Sequence, residues 1–312
     1  MKILVTGVAG FIGSNLADCL TQQGHHVIGL DNLAYGVKEQ IPAKVKFHKA
    51  DIRDRAIYPL FKGLDAVYHL AAKNCISDCQ NDPVETADIN VTGTVNVFEA
   101  SKRAKVRKVI YAESSALYER SKKYPTSEDE LAPESFYAQS KIAERYFSEA
   151  YAHFYGIKYT ALRYFCVYGP RQDYRRTIPP IMSAFIMKLL RKQQPIIYGT
   201  GKKKRDFVFV EDVNDFHLLC LKDKRTDNQT YNIGSGTNHS VHDIYQALEN
   251  IFRTGIKPIY KSDLPGESKI TLADISKAKR LGWKPKVSIE QGLQKSINYI
   301  QEFVMPTLSR KK

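Results

Sequence analysis

Lys2-Ile3-Leu4-Val5-Thr6-Gly7-Val8-Ala9-Gly10-Phe11-Ile12-Gly13-Ser14-Asn15-Leu16-Ala17 passes from a short apolar run through three glycines into a helical pattern. A strand that enters a helix this abruptly needs a tight turn, and glycine reaches positive φ there at little cost. Bare glycines also let a pyrophosphate approach the backbone, where a helix N-terminus offers unpaired N–H groups and a positive dipole. The second apolar run, Val27–Leu30, ends at Asp31. A carboxylate there accepts from both ribose hydroxyls of NAD and would repel a 2′-phosphate. A structural turn in an α/β protein is the plainer reading of the glycines alone; strand, helix and Asp31 together favour a dinucleotide site.

Outward from this loop, apolar runs alternate with helical patterns. The runs are 45–48, 66–70, 109–111 and 159–163; the helical patterns are 11–23, 83–103 and 137–155. Such alternation predicts βαβ units, hence a Rossmann-like doubly wound parallel sheet with helices on both faces. After Gly169-Pro170 the prolines cluster and the strand patterns shorten, with helical stretches at 181–192, 213–221 and 241–252. The expected division is a dinucleotide-binding domain over residues 1–169 and a smaller α/β lobe over 170–312, mainly for substrate, with some segments free to return to the first domain.

Of 312 residues, 43% are hydrophobic and 26% charged, which excludes a disordered chain. No apolar stretch approaches the ~18 residues of a membrane span. The opening apolar run breaks at Thr6-Gly7, too soon for a signal-peptide core. Five cysteines without CxxC spacing argue against a disulfide scaffold or zinc ribbon and fit a reducing cytoplasm. No metal site is expected. The net charge of +14 is dispersed, with local clusters at 202–205, Arg175-Arg176 and 310–312. It permits nucleic acid or acidic small substrates, but no basic–aromatic RNA motif accompanies it.

Tyr137 and Lys141 lie four residues apart on a predicted helix and project from one face. Tyrosine ionises near pH 10, too high for a base at neutrality. A neighbouring ammonium and a bound nicotinamide ring both favour the phenolate. Tyr137 can then take a proton from a substrate hydroxyl while hydride leaves the same carbon. Glu113-Ser114-Ser115-Ala116 comes after a strand and presents hydroxyls at its C-terminal end.

The spacing of Gly7, Gly10 and Gly13, together with a series of motifs further along the chain, resembles the extended short-chain dehydrogenase/reductase family of nucleotide-sugar epimerases and dehydratases. The resemblance is carried by Asp51-Ile52-Arg53, His69-Leu70-Ala71-Ala72, Asn90-Val91-x-Gly93-Thr94 and Tyr137-Ala138-Gln139-Ser140-Lys141. It continues in Leu162-Arg163-Tyr164-Phe165, Tyr168-Gly169-Pro170-Arg171-Gln172, Arg205-Asp206-Phe207-Val208, Asn232-Ile233-Gly234 and Ala273-Asp274-Ile275. It implies an NAD site formed by Gly7, Gly10, Phe11, Ile12, Gly13, Asp31, Asn32, Asp51, Ile52, Leu70, Ala71 and Ala72, with Tyr137 and Lys141 at the nicotinamide end.

The resemblance also implies that Ser115 is the catalytic hydroxyl, that Cys166 stands where an Asn usually binds the nucleotide sugar, and that Arg205 and Lys269 meet the diphosphate. Dehydratases and decarboxylating relatives carry acids just after the catalytic hydroxyl; here Ala116-Leu117 cannot move protons. The remaining chemistry is 4-epimerisation through a transient 4-keto sugar. Thr271 falls beside the sugar C2 group, where a small residue leaves room for N-acetyl. UDP-N-acetylglucosamine/UDP-N-acetylgalactosamine is therefore the expected pair, with UDP-glucose or a UDP-uronate, the latter met by Arg175, Arg176 or Thr177, as the alternative. A non-catalytic NAD- or RNA-binding protein on the same fold is the alternative of another class. A homodimer through helices near 83–103 and 137–155 is implied as well, with neither nucleic acid nor membrane as partner.

Overall fold

The computed structural model describes residues 1–176, 179–263 and 268–309. Thr177 and the basic cluster at 310–312 lie outside the described residues. The chain runs β1 (Lys2–Thr6), α1 (Phe11–Gln22), β2 (His26–Asp31), β3 (Lys46–Lys49), β4 (Ala66–His69), α2 (Ile76–Asn81), α3 (Pro83–Ala87), α4 (Gly93–Arg103), β5 (Lys108–Ser114) and α5 (Phe136–Tyr155). It continues through β6 (Lys158–Tyr164), β7 (Cys166–Tyr168), α6 (Ile181–Leu190), β8 (Ile196–Tyr198), β9 (Lys204–Arg205), β10 (Phe207–Phe209), α7 (Val210–Lys222) and β11 (Gln229–Ile233). The last elements are β12 (His239–Ser240), α8 (Val241–Phe252), β13 (Ile259–Lys261), α9 (Ser276–Lys279), α10 (Ile289–Tyr299) and α11 (Met305–Ser309).

Seven strands form one sheet in the order β11-β6-β5-β4-β1-β2-β3. Every pairing in it is parallel. The pleat explains the near-continuous apolar runs, because both faces are covered. Ile3 and Val5 of β1 pack with Leu16 and Leu20 of α1 and Phe216 of α7. Leu4, between them, packs on the opposite face with Val97 and Phe98 of α4. Strand order reverses beside β1, and ligands of such sheets bind outside the C-terminal strand ends at this switch point.

The second lobe has its own core, in which Phe185 and Ile186 of α6 meet Ile244 and Leu248 of α8 and Leu293 and Ile297 of α10. Segments beyond residue 169 also belong to the first core, among them Val208 of β10 and Ala278 of α9. α7 covers one face of the large sheet and β11 extends its edge beside β6. The pattern expected as one helix over 83–103 is interrupted by a π-helical turn at Asp88–Thr92. α10 and α11 do not stand out in the sequence.

Candidate active site

The glycine turn is built as the loop chemistry requires. Gly7 has φ +71°, and a Cβ there would come within 2.8 Å of the Ala71 nitrogen. Gly10 caps α1 in an extended conformation. A Cβ on Gly13 would sit 2.1 Å from the Gly7 carbonyl oxygen, so only glycine lets α1 start so close to the turn. Phe11 and Ile12 open the helix behind this turn, and Ile12 packs on the core. Leu70 and Ala71 come directly after β4, and both donate backbone N–H groups to the Thr6 hydroxyl at 3.2 Å. Ala72 comes next in the loop after β4.

Asp31, at the end of β2, is buried and accepts from Ala9 N at 3.0 Å and Leu33 N at 2.8 Å. Burial pushes its carboxyl above the ordinary range, with both backbone bonds acting the other way. Asn32 donates to Asp51 at 3.0 Å. Arg53 bonds Asp51 and reaches Asp88 at 2.7 Å, and the guanidinium holds the Asp51 carboxyl well below the usual range. Ile52 is buried beneath Gly93, where a Cβ would strike its side chain at 2.5 Å. The bare cradle and the acidic group at the end of β2 fit a dinucleotide whose ribose hydroxyls are unphosphorylated.

At the other end of the groove, Ser135 caps α5 by accepting from Ala138 N. Glu119 accepts from Ser135 N at 2.7 Å and from the Ser135 hydroxyl. The helix so anchored buries Tyr137 and Lys141 at the C-terminal edge of the sheet. Lys141 Nζ donates to the Ala112 carbonyl at 3.1 Å and to Glu144 Oε2 at 3.1 Å. Burial raises the Tyr137 phenol above its ordinary value, while Lys141 and a hydrogen bond with Ser114 oppose that rise. Ala116 packs against Tyr137, so no proton-transferring side chain occupies that position.

Ser114, the last residue of β5, acts on the phenol in this way and its hydroxyl also accepts from Ala116 N at 3.1 Å, with Ser115 next to it in the chain. Ser115 begins a 3-10 turn through Tyr118 and lines a small pocket with Tyr118, Thr126, Phe165 and Thr271. Both hydroxyls stand at the strand end, and the sequence alone does not distinguish them. Sequence reasoning also misses Glu144, although Tyr137, Lys141 and Glu144 fall on one helical stripe.

The second lobe brings the remaining candidates alongside. Lys204 N donates to the Lys269 carbonyl and Thr271 N to the Lys204 carbonyl, each at 3.0 Å. Arg205 pairs with His239 across β9 and β12, so Arg205, Lys269 and Thr271 sit on neighbouring strands. Lys269 is exposed and Arg205 half-buried. The Thr271 hydroxyl accepts from Asp206 N at 3.1 Å. Cys166 opens β7 and donates its backbone N–H to the Asp206 carbonyl at 2.9 Å. Arg175 reaches the Tyr35 carbonyl, and Arg176 reaches Asn74 and Asp173.

Among the described residues no cluster of metal-ligating side chains occurs and no helix is long and apolar enough to cross a membrane.

The NAD dependent epimerase/dehydratase family matches residues 3–234. A UDP-glucose 4-epimerase from Thermotoga maritima, crystallised with UDP-glucose, shares 36% identity over 97% of this chain and 99% of its own, with a TM-score of 0.93. A UDP-glucuronate 4-epimerase from Thermodesulfobacterium geofontis is 34% identical over 96% of each chain. A UDP-N-acetylglucosamine 4-epimerase from Methanobrevibacter ruminantium, in complex with UDP-N-acetylmuramic acid, has a TM-score of 0.92 at 29% identity, covering 96% of this chain and 98% of its own. The chain belongs to the NAD-dependent epimerase/dehydratase family, and its cofactor is NAD.

Proposed function

We propose that this chain is a 4-epimerase of UDP-sugars that interconverts UDP-N-acetylglucosamine and UDP-N-acetylgalactosamine. The observation that carries the reading is the gathering of Tyr137, Lys141 and the strand-end serines Ser114 and Ser115 at the sheet edge, with Ser115 lining a pocket that Thr271 also borders. Relatives named as epimerases of UDP-glucose, UDP-glucuronate and UDP-N-acetylglucosamine match nearly the whole chain. Among these substrates, the short Thr271 side chain favours one with an N-acetyl group at C2.

Bound NAD supplies the acceptor for hydride from C4 and its return. What the chain contributes is control of the proton and the sugar. Tyr137, as phenolate, takes the proton of the C4 hydroxyl and gives it back after the ring has turned. Ser114 hydrogen-bonds the reacting oxygen. Lys141 favours the phenolate by its charge. Ala116 and Leu117, both buried, hold no acid that could expel water from C5–C6. Residues 1–169 hold the cofactor, and the lobe built from 170–312 presents Arg205 and Lys269 to the diphosphate, aided by Cys166 at the nucleotide sugar. Arg binds phosphate as a fork and Lys as a point charge.

The molecule acts in the cytoplasm as a homodimer. Tyr146, Phe147 and Phe154 of α5 and Val84 of α3 are exposed large apolar side chains, as expected of helices that pair with a second copy. A monomeric wild type in sedimentation would contradict the dimer. For the substrate, a panel of UDP-sugars incubated with the protein should yield the C4 epimer of the N-acetyl pair. Turnover of UDP-glucose or UDP-glucuronate with none of the N-acetyl sugars would replace the hexosamine reading with the alternative.

A further inference from the structure

Behind the Tyr137 phenol lies a buried charge cluster. Glu144 is 1% exposed and Lys141 2%. The Lys141 ammonium stands 2.9 Å from Glu144 Oε1 and donates to Oε2 at 3.1 Å. Oε1 itself accepts no hydrogen bond. The groups facing Glu144 are Lys141 and Tyr137 of its own helix and Glu113 and Tyr111 of β5. Glu113 is committed elsewhere, bonded to Arg163 at 2.5 Å and to the Tyr111 hydroxyl at 2.9 Å. His69 and Cys79 approach from the Lys141 and Tyr137 end. Lys141 is therefore the one cation in contact with Glu144 among the described residues.

We propose that Glu144 is a positioning residue for the proton transfer: its carboxylate holds the Lys141 ammonium and takes up part of the positive charge that would otherwise act on Tyr137. A lysine that favours a phenolate does so in proportion to its uncompensated charge. Here a carboxylate lies closer to that ammonium than the Tyr137 ring, whose centroid is 6.0 Å away. Glu144 also responds to pH. Burial lifts its carboxyl to about 7, against the pull of Lys141. When Glu144 is protonated, the full Lys141 charge acts on Tyr137; when it ionises, the phenolate becomes harder to form. Two acids coupled in this way titrate over a broader range than either alone.

The inference rests on the epimerase reading for the role of Tyr137, but its test does not need the sugar. Tyrosinate absorbance is titrated in the full-length protein and in Tyr137→Phe, and the difference gives the Tyr137 ionisation. The same difference is taken in a Glu144→Gln background. Glutamine keeps the shape and removes the charge, so the midpoint should fall by on the order of one pH unit and the curve should sharpen. The acid limb of kcat/KM, for whichever UDP-sugar turns over, should move with it. An unmoved midpoint in folded Glu144→Gln overturns the proposal. If that variant does not fold, Glu144→Asp, which withdraws the charge by one methylene, should shift the midpoint in the same direction by less, and no shift there overturns it equally. A shifted midpoint with no sugar turned over supports Glu144 and sinks the epimerase reading instead.

Discussion

At the scale of single residues, the sequence points to one helix face and one strand end as the place of the proposed chemistry. Tyr137 and Lys141 are legible because helical spacing puts them on one face and the glycine turn supplies a reason for them. Replacing Tyr137 with Phe removes the oxygen proposed to move the proton and little else. Turnover should fall on the order of 10²-fold or more, while NAD released from the denatured protein stays at wild-type stoichiometry. Near-native turnover in the purified variant would end the assignment. The serine is less legible, since Ser114 and Ser115 share the strand end and nothing in the sequence separates them. Ser114→Ala should lower kcat far more than Ser115→Ala, which borders the Thr271 pocket and should act mainly on KM. Equal effects of the two on kcat would remove the distinction. Glu113 is fully buried, and its pairing with Arg163 explains how the charge is tolerated.

Among elements, the regular βαβ stretches are readable because burial on both faces writes apolar runs. The π-helical turn at 88–92 is not, because a single extra residue in a helix leaves its apolar pattern nearly intact. That turn carries Asn90, whose side chain binds the Lys73 backbone at 2.8 and 3.0 Å and Ser140 at 2.9 Å, tying the loop after β4 to α5. The glycine turn invites a direct test. Gly13→Ala places a methyl group 2.1 Å from the Gly7 oxygen, backbone against backbone, so the turn and α1 must separate. NAD content of the purified variant should drop several-fold or more; full NAD occupancy would show that the cradle tolerates the shift. Between β6 and α7, Tyr164 and His217 share a buried 2.6 Å bond. Burial lowers His217 to about 3, well under the ~6.5 of an exposed histidine. The unfolded chain therefore binds a proton that the folded chain refuses as pH falls from ~6.5 toward 3, and stability is lost in that direction. At pH 5 this amounts to on the order of 2 kcal/mol for His217. Glu144, lifted to about 7, works the other way over the same window, so the variant must be compared with wild type. His217→Gln should flatten the fall in Tm between pH 7 and pH 5; a parallel fall would rule His217 out as a cause.

For the molecule as a whole, the proposed selectivity rests on the place where the two lobes meet. The first lobe provides Ser115 and Tyr118, and a strand-like segment of the second provides Thr271, on one pocket. The sequence could suggest Thr271 only by resemblance, because nothing in spacing brings residues 115 and 271 together. The fold does so through two links: a bridge pairs Thr126 with Ala273, and Lys204 pairs with Ile270. Buried Asn232 reinforces the first, donating to the Thr126 and Asp274 carbonyls while accepting from Tyr118. Thr271 is thus held on a framed segment, and a larger side chain there cannot be relieved by swinging a free loop. Thr271→Tyr should push a phenol ring into the space beside the sugar C2 group. A C2 hydroxyl would still fit; an N-acetyl group would collide. Discrimination reflects differential binding in the transition state, so kcat/KM for UDP-N-acetylglucosamine should fall steeply relative to UDP-glucose. Equal losses on both would mean that the substitution acts through the Asp206 backbone bond or the diphosphate strand, and selection would then have to be sought elsewhere in the pocket.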